Sequence, residues 1–376
     1  MLAPPRPIGF YVHYHGRGHR NRTLAILEEL KGGGRPAVIL ASRMEGLDWP
    51  GNVDQVVELA CDIDGVPKAG RERAEDSPAL HFAPLHVPTI RRRVAQIARW
   101  IDDRNPAAIV VDVSVEVAML ARLASVPTLL MRQHGDRRDS AHEIAYRGAA
   151  RLLAPFPESM EDDLTPDWVR EKTTYSGAFC RYAGPAPTQS AARAGLGWDE
   201  RPRVVVMSGR GGDGSNLRAI REAAAQMPET TWIVVGLVDG DETAALPPNV
   251  EAAGWIDDPL RYLAAADAVV SAGGHNSVME LAHARSRAIV IPEPRPFGEQ
   301  VRKAAILRRE GLAVVRESWP SPDQWADTIA EAQSLDPSRW DRIADGSGAA
   351  PLAEAIERVA AESESVAMSA AVGAFG

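Results

Sequence analysis

Three glycine-rich breaks in the chain carry side chains whose types and spacing could do chemistry. The first is "HYHGRGH", residues 13–19, between an apolar strand-like run, Ile8–His13, and a helical run, His19–Leu30. Gly16 and Gly18 let the backbone bend sharply and come close to a ligand. The amides of the following helix point back at the same place. His19 stands in that helix's first turn, where the helix dipole disfavours an imidazolium. A neutral imidazole is what a general base requires, so His19 is the candidate catalytic residue. A histidine that only caps its helix is the plainer alternative. His15 and His19 are four apart, but no carboxylate or cysteine accompanies them, and no metal site is expected. Arg22, one turn on, is expected to be solvated, with an anion contact as the alternative.

The second break, "SGRGGDGSN", follows the strand-like "RVVVMSG" and precedes a helical run, Asn216–Gln226. Gly209, Gly211 and Gly214 have the spacing of a dinucleotide fingerprint. That fingerprint wants an acid at the end of the next strand. The next strand, "TWIVVG", ends at Gly236, and the nearest acid is Asp239. What survives is a set of bare amides at a helix start, suited to a phosphate or diphosphate, with Ser208, Gly209, Arg210 and Gly211 as candidate contacts. A tight turn without a ligand is the alternative.

The third break, "ADAVVSAGGHNSVMELA", runs from a strand, Ala268–Ser271, through Gly273–Gly274 into a helix, Asn276–Ala284. Glu280 could accept hydrogen bonds from both hydroxyls of a ribose. Ser277-x-x-Glu280 also reads as a capping box, in which the glutamate only satisfies a backbone N–H. The prolines of "IPEPRPFGEQ" then stiffen a loop that delivers Glu299 and Gln300 to another helix start. Two polar acceptors there suit sugar hydroxyls, and a glutamate that merely meets the helix dipole is the alternative.

Strands and helices alternate around these breaks. Ala37–Ala41 and Val53–Leu59 read as strands, and Thr89–Asp102 as a helix with Ile90, Val94, Ile97 and Ile101 on one face. Ala107–Val113 reads as a fully buried strand, Ser114–Ala124 as a helix, and "VPTLLMR" as a strand ending at Arg132. Residues 61–83 lack periodicity and read as a long loop. Such alternation implies parallel sheets covered on both faces. The expected fold is therefore α/β, with two Rossmann-like domains: residues 1–183, a linker at 184–195, and residues 196–345. A C-terminal helix and frayed tail, residues 346–376, complete the chain. The segment "TIRRRVAQIARW" is expected to pack on its sheet with solvated arginines, with contact to an anionic membrane surface as the alternative.

Bulk properties narrow the function. The 376 residues are 45% apolar and 25% charged, with a net charge of −9. An acidic balance argues against nucleic acid as a partner. Cys61 and Cys180 have no metal-type spacing and suit free thiols in a reducing compartment. The N-terminus lacks a basic stretch followed by a long apolar run, and no apolar run reaches the length of a membrane span. A cytoplasmic protein is expected.

Taken in order, "HGRGH", "SGRGGDGSN" and the sixty or so residues from "GWIDDPLRYL" to "GLAVV" resemble the GT-B class of glycosyltransferases. The nearest likeness is to the enzymes that add N-acetylglucosamine to lipid I in peptidoglycan synthesis. The resemblance implies two domains facing across a cleft and a nucleotide-sugar donor, UDP-linked, held by the C-terminal half. It implies that Glu280 binds the ribose and that backbone near Ile256 meets the base. Gly273, Gly274, His275, Asn276 and Ser277 would face the diphosphate, and Gln300 with Glu299 the sugar. Gly16 and Gly18 would help to line the donor, and His19 would be the base or a pyrophosphate contact. The acceptor, a small molecule, glycan or lipid-linked hydroxyl, is expected on the N-terminal half, with Arg132 and His134 as candidate contacts. Arg17, Arg20 and Arg22 suggest an unusual or anionic acceptor. The implied reaction is inverting sugar transfer with no cofactor and no metal, the nucleotide sugar being a substrate. Alternatives are a nucleotide-sugar hydrolase or epimerase of the same fold, and an NAD-dependent dehydrogenase.

Overall fold

Runs of buried β-branched residues without polar alternation pair in parallel, because helical crossovers then cover both sheet faces. The computed structural model shows two such sheets. It describes every residue except 1–3, 15–16, 45–47, 67–76, 183, 209–215, 237–245 and 374–376. The chain divides into two compact units. One holds residues 1–158, 163–177 and 347–376, the other residues 159–162 and 178–346.

The first unit is built on seven parallel strands. They are β1 (Ile8–Val12), β2 (Ala37–Ala41), β3 (Val53–Glu58), β4 (Ala108–Asp112), β5 (Thr128–Met131), β6 (Arg151–Ala154) and β7 (Thr173–Tyr175). Their order is β3-β2-β1-β4-β5-β6-β7. β1 pairs with both β2 and β4, so the ends of β1 and β4 are neighbours. The helices include α1 (Arg17–Leu30), α2 (Pro88–Arg104), α3 (Val115–Leu123), α4 (Ser140–Gly148) and α5 (Asp167–Lys172). Strands β6 and β7 escape sequence reading because they are short; β7 is only half buried and offers no apolar run.

Helix α2 departs from the expected face. Val94 is exposed, while Arg93 is buried beside Ile97, Trp100 and Ile101. The guanidinium of Arg93 donates to Ser42 Oγ and to the Ala60 carbonyl, both at 2.8 Å, and to the Tyr11 hydroxyl. It thereby satisfies polar groups at the ends of β1, β2 and β3 that a valine could not reach. Arg91 and Arg92 remain exposed.

The second unit has six parallel strands. They are β8 (Arg203–Ser208), β9 (Thr231–Gly236), β10 (Val250–Gly254), β11 (Ala268–Ser271), β12 (Ala288–Val290) and β13 (Ala313–Val315), in the order β10-β9-β8-β11-β12-β13. Its helices include α6 (Gln189–Leu196), α7 (Leu217–Gln226), α8 (Leu260–Ala265), α9 (His275–His283), α10 (Glu299–Arg309) and α11 (Trp325–Ser334). Residues 184–195, read from composition as a linker, hold most of α6. Its Ala192 packs with Ala264 and Ala265 of α8. The short stretch 159–162 clusters here because Arg302 pairs with Asp162 and Arg309 donates to the Ser159 carbonyl.

The C-terminal segment forms one helix, α12 (Ala350–Gly373), that is part of the first unit. Leu352, Ile356 and Ala360 give it a buried stripe at four-residue spacing. Arg35 binds it from the sheet side, with Glu357 at 3.0 Å and Glu364 at 2.8 Å.

Gly9, the second residue of β1, marks a close contact between helix and sheet. A Cβ there would lie 2.6 Å from Cη2 and 2.9 Å from Cζ3 of Trp100 on α2. We expect Gly9→Ala to destabilise the first unit by about 1–3 kcal/mol in urea denaturation, through overpacking. Adding Trp100→Phe should recover part of that loss. Additive losses would show that the contact is not the cause.

Candidate active site

At the C-terminal edge of the first sheet, the neighbouring ends of β1 and β4 bring His19 and Asp112 together. His19, in the first turn of α1, has Nδ1 2.8 Å from Asp112 Oδ2. Arg22, one turn along, donates from Nη2 to both carboxylate oxygens, at 2.8 and 3.1 Å. Arg22 is therefore buried and ion-paired, not solvated as its sequence context suggested. Burial alone would raise the Asp112 pKa, but Arg22 and then His19 outweigh it, and the carboxyl falls to about 2. Nδ1 also lies 3.0 Å from Arg22 Nη2, a donor, but the shorter contact to the ionised Asp112 favours the tautomer protonated on Nδ1, which leaves the Nε2 lone pair to take a proton. Val113, directly after Asp112, has φ of +59°. A β-branched residue there is strained, as backbone holding a functional side chain often is.

His19 thus does more than cap its helix. Gly18 lies inside the first turn of α1 and not in the bend before it. Gly16 lies outside the described residues. Asp112 was not singled out in the sequence. The signal was there: an aspartate closing an otherwise apolar strand.

In the second unit, the ends of β10 and β11 and the starts of α9 and α10 carry the other predicted residues. Gly273 takes φ of +82°, and a Cβ there would lie 3.0 Å from Val290. Gly274 is the N-cap of α9 and, lacking a side chain, supplies no side-chain cap to the helix's first amides. His275, Asn276 and Ser277 form that first turn and are half buried. Ser277 is therefore inside the helix, so the capping box with Glu280 does not form. Glu280 instead sits two turns in, buried, with Oε1 2.9 Å from Arg181 Nε. Arg181 also donates to the Asp257 carbonyl at 2.5 Å, next to the half-buried Ile256. Burial raises the Glu280 pKa, and Arg181 only partly offsets it.

Arg181 is a second candidate residue that the sequence did not reveal, because it lies in a segment read as the approach to a linker. Gln300 is buried and its Oε1 accepts the Glu293 amide at 2.8 Å, while its Nε2 lies 4.0 Å from the position of a Cβ on Gly274. Glu299 faces the fully buried Lys303, Nζ to Oε1 3.2 Å. Gly209, Arg210 and Gly211 lie outside the described residues, as does the side chain of Ser208, whose backbone ends β8.

The two candidate acceptor contacts are placed otherwise. Arg132 is buried and donates to Thr173 Oγ1 at 3.0 Å and Thr165 Oγ1 at 3.2 Å. His134 is buried against the Phe156 ring, centroids 4.0 Å apart. Both tie the β5–α4 connection to its own unit.

Residues 235–342, which include the third glycine break, Glu280 and Gln300, match the sequence model of the glycosyltransferase family 28 C-terminal domain. With its two parallel-sheet units of GT-B type, the chain is a glycosyltransferase. In particular, it is similar to the UDP-N-acetylglucosamine--N-acetylmuramyl-(pentapeptide) pyrophosphoryl-undecaprenol N-acetylglucosamine transferase of Clavibacter michiganensis subsp. michiganensis. The two are 29% identical over 328 residues, covering 81% of this chain and 82% of that protein. Among solved structures, Acinetobacter baumannii MurG aligns with a TM-score of 0.61 at 17% identity, over 94% of this chain and 100% of that one. The spinosyn rhamnosyltransferase SpnG, complexed with thymidine diphosphate, aligns at 0.65 and 17%, with the same coverage. These two likenesses are of fold.

Asp112 contributes stability that is present above its unfolded-state pKa near 4 and lost as the pH falls toward about 2. Asp112→Asn should therefore cost roughly 3 kcal/mol at pH 7, by leaving Arg22 buried without its anion. It should also flatten the loss of stability between pH 5 and pH 2, measured by denaturant titration at each pH. For Arg181→Met, the raised Glu280 pKa should rise further. The native state then binds more protons than the unfolded state, so the variant's stability should fall more steeply than the wild type's as pH rises from 5 to 8. Parallel pH profiles would contradict the pairing.

Proposed function

We propose that the chain transfers a sugar from a nucleoside diphosphate sugar, UDP-linked, to an acceptor hydroxyl, with inversion and without a divalent metal. The observation that carries this reading is Glu280. A buried carboxylate that is not part of a capping box sits near the start of α9, whose N-cap is a glycine, at the edge where a parallel sheet binds ligands. Its free lone pairs suit ribose hydroxyls. The first-turn amides of α9, with Gly273 and Gly274 letting the diphosphate approach, suit the leaving group, and Arg181 adds a cation beside it. Preorganised dipoles and an arginine can take the charge that a metal would otherwise take. The named relative's use of a UDP sugar supports the choice of nucleotide.

In this mechanism His19 Nε2 takes the proton of the acceptor hydroxyl as that oxygen forms its bond to the anomeric carbon. The bond from that carbon to the diphosphate oxygen breaks, and its electron pair leaves with the diphosphate. Asp112 stays ionised and stabilises the imidazolium that forms. A single displacement of this kind inverts the anomeric centre. Gln300 and Glu299 supply acceptors for sugar hydroxyls. Two free cysteines suit a reducing, cytoplasmic setting. Among the described residues no helix is long and apolar enough to cross a membrane. The relative's name gives its acceptor as a pyrophosphoryl-undecaprenol, which supports a lipid-linked, anionic acceptor here as well.

The test is a panel of UDP, TDP and GDP sugars and NAD, read as thermal shifts on the wild type and on Glu280→Gln. A UDP sugar should stabilise the wild type, and the shift should shrink in Glu280→Gln relative to that variant's own baseline. A shift with NAD alone would sink the reading in favour of a dehydrogenase. In turnover assays, His19→Ala should lose roughly 10²–10⁴-fold in rate with the donor KM little changed. EDTA should leave the transfer rate intact. Release of free sugar at full rate without acceptor would mean hydrolysis and not transfer.

A further inference from the structure

We propose that His81, Asp139 and His142 form a binding site for one divalent transition-metal ion of the zinc class, in the first unit and made of none of the residues assigned to sugar transfer. One ligand atom from each lies within 4.8 Å of the other two. His81 Nε2 is 2.8 Å from Asp139 Oδ1, and His142 Nδ1 is 2.5 Å from Asp139 Oδ2. The two imidazole rings stand 4.4 Å apart between centroids. Two imidazoles and one carboxylate suit zinc and its neighbours, whereas magnesium and calcium want oxygen ligands throughout.

Each ligand is held from behind. Asp139 is the N-cap of α4 and accepts the His142 amide at 3.1 Å, so its carboxylate is fixed at the helix start. His142 is buried one turn into that helix. His81 is fixed by its backbone: its amide and that of Phe82 donate to Glu116 Oε1, at 2.7 and 2.9 Å. Glu116 in turn accepts from Ser114 Oγ at 3.0 Å. Three segments distant in sequence, after β3, after β4 and after β5, thus converge on one point. Asp139 and His81 remain partly exposed at 36% and 27%, which leaves a coordination position open to water or another oxygen ligand.

Arg137 is the charged group facing this cluster on its far side. Its Nη1 lies 3.3 Å from His142 Nε2, and its Nε and Nη2 point at the His134 carbonyl. A donor on Nε2 keeps the ring proton on Nδ1. An ion on Nδ1 moves that proton to Nε2, where it meets Arg137. The arginine therefore weakens the site without blocking it, and an acceptor in its place should strengthen it. An ion here would tie residues 81–82 to the β5–α4 loop. The expectation of no metal rested on His15 and His19. This set is invisible to spacing rules because His81 and Asp139 are 58 positions apart.

The inference is independent of sugar transfer and is tested by ion uptake alone. The tag-free full chain, stripped with chelator and dialysed, is titrated with Zn²⁺ against a chromophoric competitor, and separately with Co²⁺ to read its visible spectrum. We expect one equivalent of Zn²⁺ and a four-coordinate Co²⁺ spectrum. His81→Ala and Asp139→Asn should each weaken uptake at least tenfold; asparagine keeps the helix cap, and His81 is partly exposed, so both should fold. Arg137→Gln should tighten uptake. Less than one equivalent in the wild type, or equal affinity in wild type, His81→Ala and Asp139→Asn, overturns the site.

Discussion

Parallel strand pairing is the constraint on which the rest depends. A parallel strand must be followed by a crossover before its neighbour, so every strand's C-terminal end opens into a loop at one edge of the sheet. Those loops are the places where the backbone can turn away from the ladder and leave amides unpaired. In this chain the third glycine break, the two histidine–aspartate clusters and the buried glutamate occur at such edges. The strands below them are mostly aliphatic, and Asp112, which closes β4, is the strand residue that enters the site.

Buried charge is the second organising theme. Asp112, Glu280, Lys303 and Arg93 all lie within a few per cent of full burial. Each has a partner: Arg22 for Asp112, Arg181 for Glu280, Glu299 for Lys303, and hydroxyl and carbonyl oxygens for Arg93. Such pairs add little net stability over an apolar packing, but removing one partner is costly. What they supply is a fixed position for a charge. In the first unit that position sets the tautomer of His19. In the second it places a cation beside the carboxylate proposed to hold a ribose.

Much of this was legible in the sequence. The strands of β1, β2, β4, β8, β9 and β11, the helices that follow the glycine breaks, and the positions of His19 and Glu280 could all be read from hydrophobic runs and turn residues. The short strands β6 and β7 could not, because β7 is half buried and neither has a long apolar run. The face of α2 was misjudged by one position: Arg93 points inward because polar groups at the strand ends need a donor, a demand that periodicity does not contain. The capping box at Ser277 and Glu280 had the right spacing and the wrong frame, since the helix begins two residues earlier, at His275.

By itself the sequence determined the alternation of strand and helix, the places where the chain bends, and which residue types stand at those bends, because these depend on neighbours within a turn or two. Only the tertiary structure decided which side chains meet. Asp112 joins His19 across 93 positions, Arg181 reaches Glu280 from the residues just before the stretch that composition marks as a linker, and His81 meets Asp139 across 58 positions that hold α2, β4, α3 and β5. The physical reason is that strand order in the sheet, not order in the chain, sets which loop ends are neighbours.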